Sequence, residues 1–244
     1  MSTFWIALGL SLLGGLGGLL IASGVLLIHD SLRAKLIPWL VSYAVGALLG
    51  ISMMGLLPES LNELPAAQVF GTLLGGIMLF FVLEKLVLWR HCHTHDCEVH
   101  ESSVASVMIG DTFHNFVDGA VIGAAVLTSI PLGVSTAIAV AAHEIPQEIG
   151  DFAILLHAGY SRERALLLNV LSALASVAGA MGTFLAFDFV PRTLPYFLVI
   201  AASSFLYVAM ADLIPGLHRG RTDASSLRQI VLIALGIITM VWFS

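Results

Sequence analysis

Two short segments concentrate side chains able to hold a metal ion. The first reads Asp111-Thr-Phe-His114-Asn115-Phe-Val-Asp118-Gly119, and its polar positions 111, 114, 115 and 118 are spaced i, i+3, i+4, i+7, one face of a helix. The second reads His143-Glu144-Ile-Pro146-Gln147-Glu148-Ile-Gly-Asp151; rows 143/147/151 and 144/148 make one broad polar stripe. Imidazole, carboxylate and carboxamide groups pooled on two facing helices suit a borderline divalent metal. The two cysteines, Cys92 and Cys97, lie elsewhere, in one short polar segment, which disfavours a copper(I) path. Pro146 cannot donate to the Ala142 carbonyl, which predicts a kink and a freed carbonyl beside His143.

The elements that must position these residues are membrane helices. Of 244 residues, 58% are hydrophobic and only 11% charged, against about 25% charged in a soluble domain. That composition, with a net charge of −6, excludes a water-soluble enzyme and gives no basic face for nucleic acid. Measured against about 20 apolar residues per crossing, the chain divides into eight spans: about 4–28, 36–57, 66–83, 103–127, 132–157, 165–187, 193–214 and 225–243. All belong to one transporter-sized domain, 1–244. Nine of the ten basic residues fall in alternate loops, Arg192 being the exception. Since Lys and Arg collect on the cytoplasmic side, both termini are expected outside the cytoplasm. No cleaved signal peptide is expected. Ala47 to Pro58 aligns with Ser204 to Pro215 through Leu49/Leu206, Met53/Met210, Leu56/Leu213 and Pro58/Pro215. With the expected topology this repeat is inverted, a 3+2+3 arrangement with helices 4 and 5 at its centre.

At mid-membrane depth each charge costs several kcal/mol unless paired or coordinated. Groups there can simply bond one another to hold a bundle together, which is the reading for Asn169 or Ser172 taken singly. The seven-residue set His114, Asn115, Asp118, His143, Glu144, Gln147 and Glu148 is read as metal-holding.

At these two segments the chain resembles the ZIP (Zrt/Irt-like) family of divalent metal transporters, as a short, bacterial-type member. The match lies in His114-Asn115-Phe116-Val117-Asp118-Gly119 and His143-Glu144-Ile145-Pro146-Gln147-Glu148-Ile149-Gly150-Asp151-Phe152. Eight helices, outside termini and a His-bearing loop after helix 3 extend it along the chain. The resemblance implies a two-metal site, one centre using His114, Asp118, His143 and position 147, the other Asn115, Asp118, Glu144 and position 147. It also implies a homodimer. Gln147 departs from the His or Glu often found at that position, and helix 6 has no carboxylate within Ala165 to Ala186.

Asp111, Asp151 and His157 are assigned to an exit path one to two turns nearer the cytoplasm. The loop His91-Cys92-His93-Thr94-His95-Asp96-Cys97-Glu98-Val99-His100 has a metal-philic composition without zinc-finger spacing. Candidate ligands there are His91, Cys92, His93, His95, Cys97 and His100. Asp212 is expected at the interface, and the helix 1 glycines are read as packing sites.

The resulting expectation is a multi-pass cell-membrane protein importing zinc by alternating access, with iron, manganese and cadmium as further candidates. No organic cofactor is expected, and without a Walker A motif the chain does not hydrolyse ATP. Uptake is expected to fall in acid, since His must be neutral to bind metal. The rival from another class is an intramembrane zinc metalloprotease, because His143-Glu144-x-x-Gln147 approaches H-E-x-x-H. Gln147 breaks that pattern where its second His is needed.

Overall fold

The computed structural model describes residues 2–91, 101–189, 191–218 and 224–243; Cys92, His93, His95, Cys97 and His100 of the metal-philic loop lie outside them. Among the described residues there is no strand. The described residues form eight helical rods in succession: α1 (Ser2–Leu26), α2 (Asp30–Gly50, continuing through Ile51–Leu56 to Leu57–Glu63), α3 (Ala66–His91) and α4 (Glu101–Thr128). After them come α5 (Ile130–His157), α6 (Arg162–Ala173 and Ala175–Phe189), α7 (Leu194–Tyr207, continuing through Val208–Leu213 to Ile214–His218) and α8 (Ala224–Phe243). Six of the eight contain stretches long and apolar enough to cross a membrane. The other two, α4 and α5, are 28 residues each and carry the polar segments. The protein is an all-α polytopic membrane protein.

Several helices outrun the apolar stretches that announce them. The α2 rod extends to Glu63, past the expected end at 57, because Pro58 is accommodated rather than terminating. Ahead of it Ile51–Leu56 is π-helical, and the Leu57 amide bonds the Ser52 carbonyl five residues back. A proline ring collides with the carbonyl four residues before it, so a locally wider turn lets the rod continue. The same device recurs in α7, where Val208–Leu213 is π-helical, the Ile214 amide bonds the Ala209 carbonyl, and Pro215 follows. Both π segments fall inside the two stretches that align in sequence. By contrast, α5 continues as an α-helix through Pro146.

Helices pair where small residues let backbones meet. In the α4–α6 pair, a Cβ built on Gly119 would strike the Ser176 carbonyl, and one on Gly179 the Phe116 carbonyl. In the α2–α8 pair, Gly46 meets the Ile233 carbonyl and Gly236 the Tyr43 carbonyl in the same way. The α3–α7 pair closes at Gly76 against Ser203. On the other side α1 packs against α5, with Gly14 facing Val140 and Gly18 facing Glu144.

A single residue, Ser129, joins α4 to α5; its Oγ accepts from the Leu132 amide at 3.3 Å and caps α5. The metal-philic segments therefore lie on adjacent antiparallel helices of one tight hairpin. At the opposite end of that hairpin, Val104, Leu155 and Ala165 form a small apolar cluster with Met108, Phe152 and Leu168, where α4 starts, α5 ends and α6 starts.

Candidate metal centre

His114 and Asp118, one turn apart on α4, converge with His143 and Glu144 of α5. One ligand atom from each of the four lies within 4.8 Å of all the others. Individual separations are 3.1 Å between the two Nε2 atoms, 2.9 Å from His143 Nε2 to Asp118 Oδ2 and 3.7 Å from His114 Nε2 to the same oxygen. Glu144 Oε1 is 3.6 Å from each imidazole. With bonds of 2.0–2.1 Å, a tetrahedral zinc ion holds its ligand atoms about 3.3 Å apart, so the five separations bracket the edge of such a tetrahedron.

The tautomer of His143 sharpens this geometry. Its Nδ1 sits 3.1 Å from the Ala139 carbonyl oxygen, which can only accept, so Nδ1–H donates there and, whenever the ring is neutral, Nε2 presents a lone pair to the site. That lone pair faces a carboxylate oxygen at 2.9 Å. Two acceptors at that distance repel unless a cation or a second proton lies between them. The backbone contact also fixes the ring's direction, as the outer partners of metal-ligating histidines do.

Burial compounds the requirement. Asp118, His143 and Glu144 are at most 2% exposed, and both Glu144 oxygens lack a hydrogen-bond partner. No lysine or arginine is buried among the described residues, so no fixed cation answers these carboxylates. Phe205 of α7 closes the apolar side, its ring centroid 5.8 Å from that of His143. Gly18 of α1 admits Glu144, since a Cβ there would come within 2.9 Å of the Glu144 Cβ.

The remaining members of the seven-residue set face elsewhere. The Asn115 Nδ2 donates to Asp111 Oδ1 at 3.2 Å, and Gln147 Nε2 donates to the same atom at 3.1 Å. Asp111 also accepts from Ser172 of α6 at 2.5 Å. Glu148 and Asp151 are buried near Asp111. His157 is exposed at the last turn of α5 and does not join them. His91 ends α3. Sequence periodicity did not single out Ser172, Asn169, Gly18 or the Ala139 carbonyl as site components. The small and polar run Ala165, Asn169, Ser172, Ser176 on α6 carries the only available signal, an i, i+4, i+7, i+11 stripe.

The sequence is similar to those of known proteins. Residues 89–244 match the family model described as ZIP Zinc transporter. Zinc transporter ZIP13 of Pongo abelii is 34% identical over 223 residues, covering 84% of this chain and 66% of that protein. Zinc transporter ZIP10 of Danio rerio is 41% identical over 133 residues, 52% of this chain and 16% of its own length. Zinc transporter ZIP4 of Homo sapiens is 44% identical over 115 residues, 47% of this chain and 18% of its own. The chain thus spans about two thirds of the first relative and under a fifth of the other two. The matched region contains the whole α4–α5 hairpin, with its convergent imidazoles and carboxylates, and the chain belongs to the ZIP zinc transporter family.

Proposed function

We propose that this chain moves divalent cations across a membrane, zinc foremost, with iron, manganese and cadmium as secondary cargoes, and that His114, Asp118, His143 and Glu144 hold the ion in transit. The observation that carries this reading is the convergence of one ligand atom from each of these four residues within 4.8 Å of one another, three of the four side chains being buried. Two neutral imidazoles and two carboxylates give a neutral complex with a divalent ion, which suits an apolar surround. Asn115, Gln147 and Glu148 line the next turn, and Asp111 and Asp151 lead from there toward the cytoplasm. The ion enters dehydrated and leaves by alternating access.

The proposed frame is eight spans in a 3+2+3 inverted repeat, both termini outside, working as a homodimer in the cell membrane. The paired π segments ahead of Pro58 and Pro215 support the repeat, and the basic residues in alternate loops support the orientation. The protease alternative has no support. Position 147 offers a carboxamide engaged by Asp111, and the family consists of transporters.

Metal flux into liposomes holding the purified chain tests the proposal. Zinc entry in the parent and its loss in both Asp118→Ala and His143→Ala is the expected result. Parental flux in both variants overturns the assigned site.

A further inference from the structure

A second group of buried polar side chains lies one turn from the four converging ligands, toward the apolar cluster of Val104, Leu155 and Ala165. Asp111 is its anchor, held by Asn115 Nδ2, Gln147 Nε2 and Ser172 Oγ. Facing it across the α4–α5 seam are Glu148 and Asp151. Glu148 is fully buried, and neither of its oxygens has a hydrogen-bond partner. Asp151 Oδ2 likewise has none.

An independent observation comes from α6. Asn169 is fully buried, and both its carboxamide oxygen and nitrogen lack partners. It sits one turn before Ser172 on the same buried stripe, and Ser172 touches Asp111. The Asn115 Oδ1 atom is also buried and unbonded. An unsatisfied buried carboxamide costs about 1–3 kcal/mol. Together with the unbonded oxygens of Glu148, Asp151 and Asn115, the Asn169 carbonyl oxygen leaves a set of buried acceptors that no buried lysine or arginine among the described residues answers.

We infer that Asp111, Glu148, Asp151 and the Asn169 carboxamide form a second cation station, distinct in chemistry from the first. The inference rests on the reading of the chain as a cation transporter. Its donors are oxygens alone, whereas the first site mixes two imidazoles with two carboxylates. Oxygen-only sets suit harder cations such as manganese, and imidazole favours zinc. The second station is closed on its far side by Val104, Met108, Phe152, Leu155, Ala165 and Leu168. An ion handed from His143 to Glu148 therefore rests in an occluded, harder site before that apolar plug parts. The exchange from nitrogen to oxygen donors weakens the hold on zinc at this step, which favours onward release.

Binding to the purified full chain, without flux, tests the assignment. Zinc stoichiometry is read by calorimetry and manganese by loss of its free electron paramagnetic resonance signal. The parent is expected to bind a manganese ion that survives in His143→Ala. In Glu148→Gln/Asp151→Asn its affinity falls by roughly tenfold or more, the scale seen when a metal ligand's support is removed, while zinc still binds at the four-ligand cluster. Asn169→Leu and Asn169→Asp carry the test if the double variant does not fold, the first weakening manganese binding and the second tightening it. Parental manganese affinity in Glu148→Gln/Asp151→Asn, or in both Asn169 variants, overturns the second station. Simultaneous loss of all binding in His143→Ala and in Glu148→Gln/Asp151→Asn also overturns it, because the two groups would then be one site. Unchanged zinc binding in His143→Ala instead removes the four-ligand cluster and leaves the second station standing.

Discussion

Among the described residues, the helices α2, α3, α7 and α8 bury no polar side chains but hydroxyls, whereas the group α1, α4, α5 and α6 also buries carboxylates, carboxamides and an imidazole. In the former group Ser42, Ser52, Ser60 and Ser203 each donate to a carbonyl one turn back, at 2.6 to 2.8 Å. Those bonds are local and complete, as expected for hydroxyls in a medium without water. In the latter group Asp118, Glu144, Glu148, Asp151, Asn115 and Asn169 all retain buried atoms without partners. Both groups use glycine to bring parallel backbones together, so packing does not distinguish them. Unsatisfied polarity does, and it falls on the half to which the proposed cation sites belong.

The comparison is broken most severely at Asp118. Asp118→Ala should lower zinc affinity by about a hundredfold, read by calorimetry, whereas Ser52→Ala in the other group should leave it at the parental value. Zinc at a hundred times its dissociation constant should stabilise the parent by about 2.7 kcal/mol. Thermal unfolding of Asp118→Ala should show no such rise on adding zinc.

Packing variants come next. Gly179→Leu in α6 and Gly46→Leu in α2 both drive a side chain into a facing backbone and should each cost about 3 kcal/mol or more. Only Gly179→Leu, next to the ligand helix α4, should also weaken zinc binding. Equal losses of binding in the two would mean that the site depends on general integrity rather than on its own half.

Smaller effects sharpen the boundary of the site. Gln147→His gives up the bond to Asp111 and adds an imidazole beside the cluster, so zinc binding should tighten by a few fold. Indifference would place position 147 outside the ligand sphere. Gly18→Ala presses on the Glu144 Cβ and should weaken zinc binding slightly, with Ala at Gly17, where there is open space, as the silent control.

Much of this was legible beforehand because two signals are local. Apolar runs reveal spans, and the spacing of His114 with Asp118 and of His143 with Glu144 places their side chains on two facing helices. Legibility ended where partners come from different helices. Nothing in the α5 pattern distinguishes Gln147, turned to Asp111, from Glu144, turned to His114; both sit on the same broad stripe. In sequence Asn169 looks like bundle glue, because its lack of partners exists only in three dimensions. The extension of α2 beyond 57 was missed because proline ordinarily stops a helix, and the π turn that accommodates it has no compositional mark. The family resemblance assigned position 147 to both centres, whereas the observed convergence brings Glu144 together with both histidines.

The one-residue turn at Ser129 has a consequence for how this gene can vary. With no slack between α4 and α5, each residue inserted or deleted between Asp118 and His143 would swing one set of ligands about 100° around its helix and 1.5 Å along it. The hairpin behaves as a calliper whose jaws are set by residue count. Length variation should therefore be selected against throughout 118–143. A library of single-codon insertions, grown under zinc limitation, would trace that boundary.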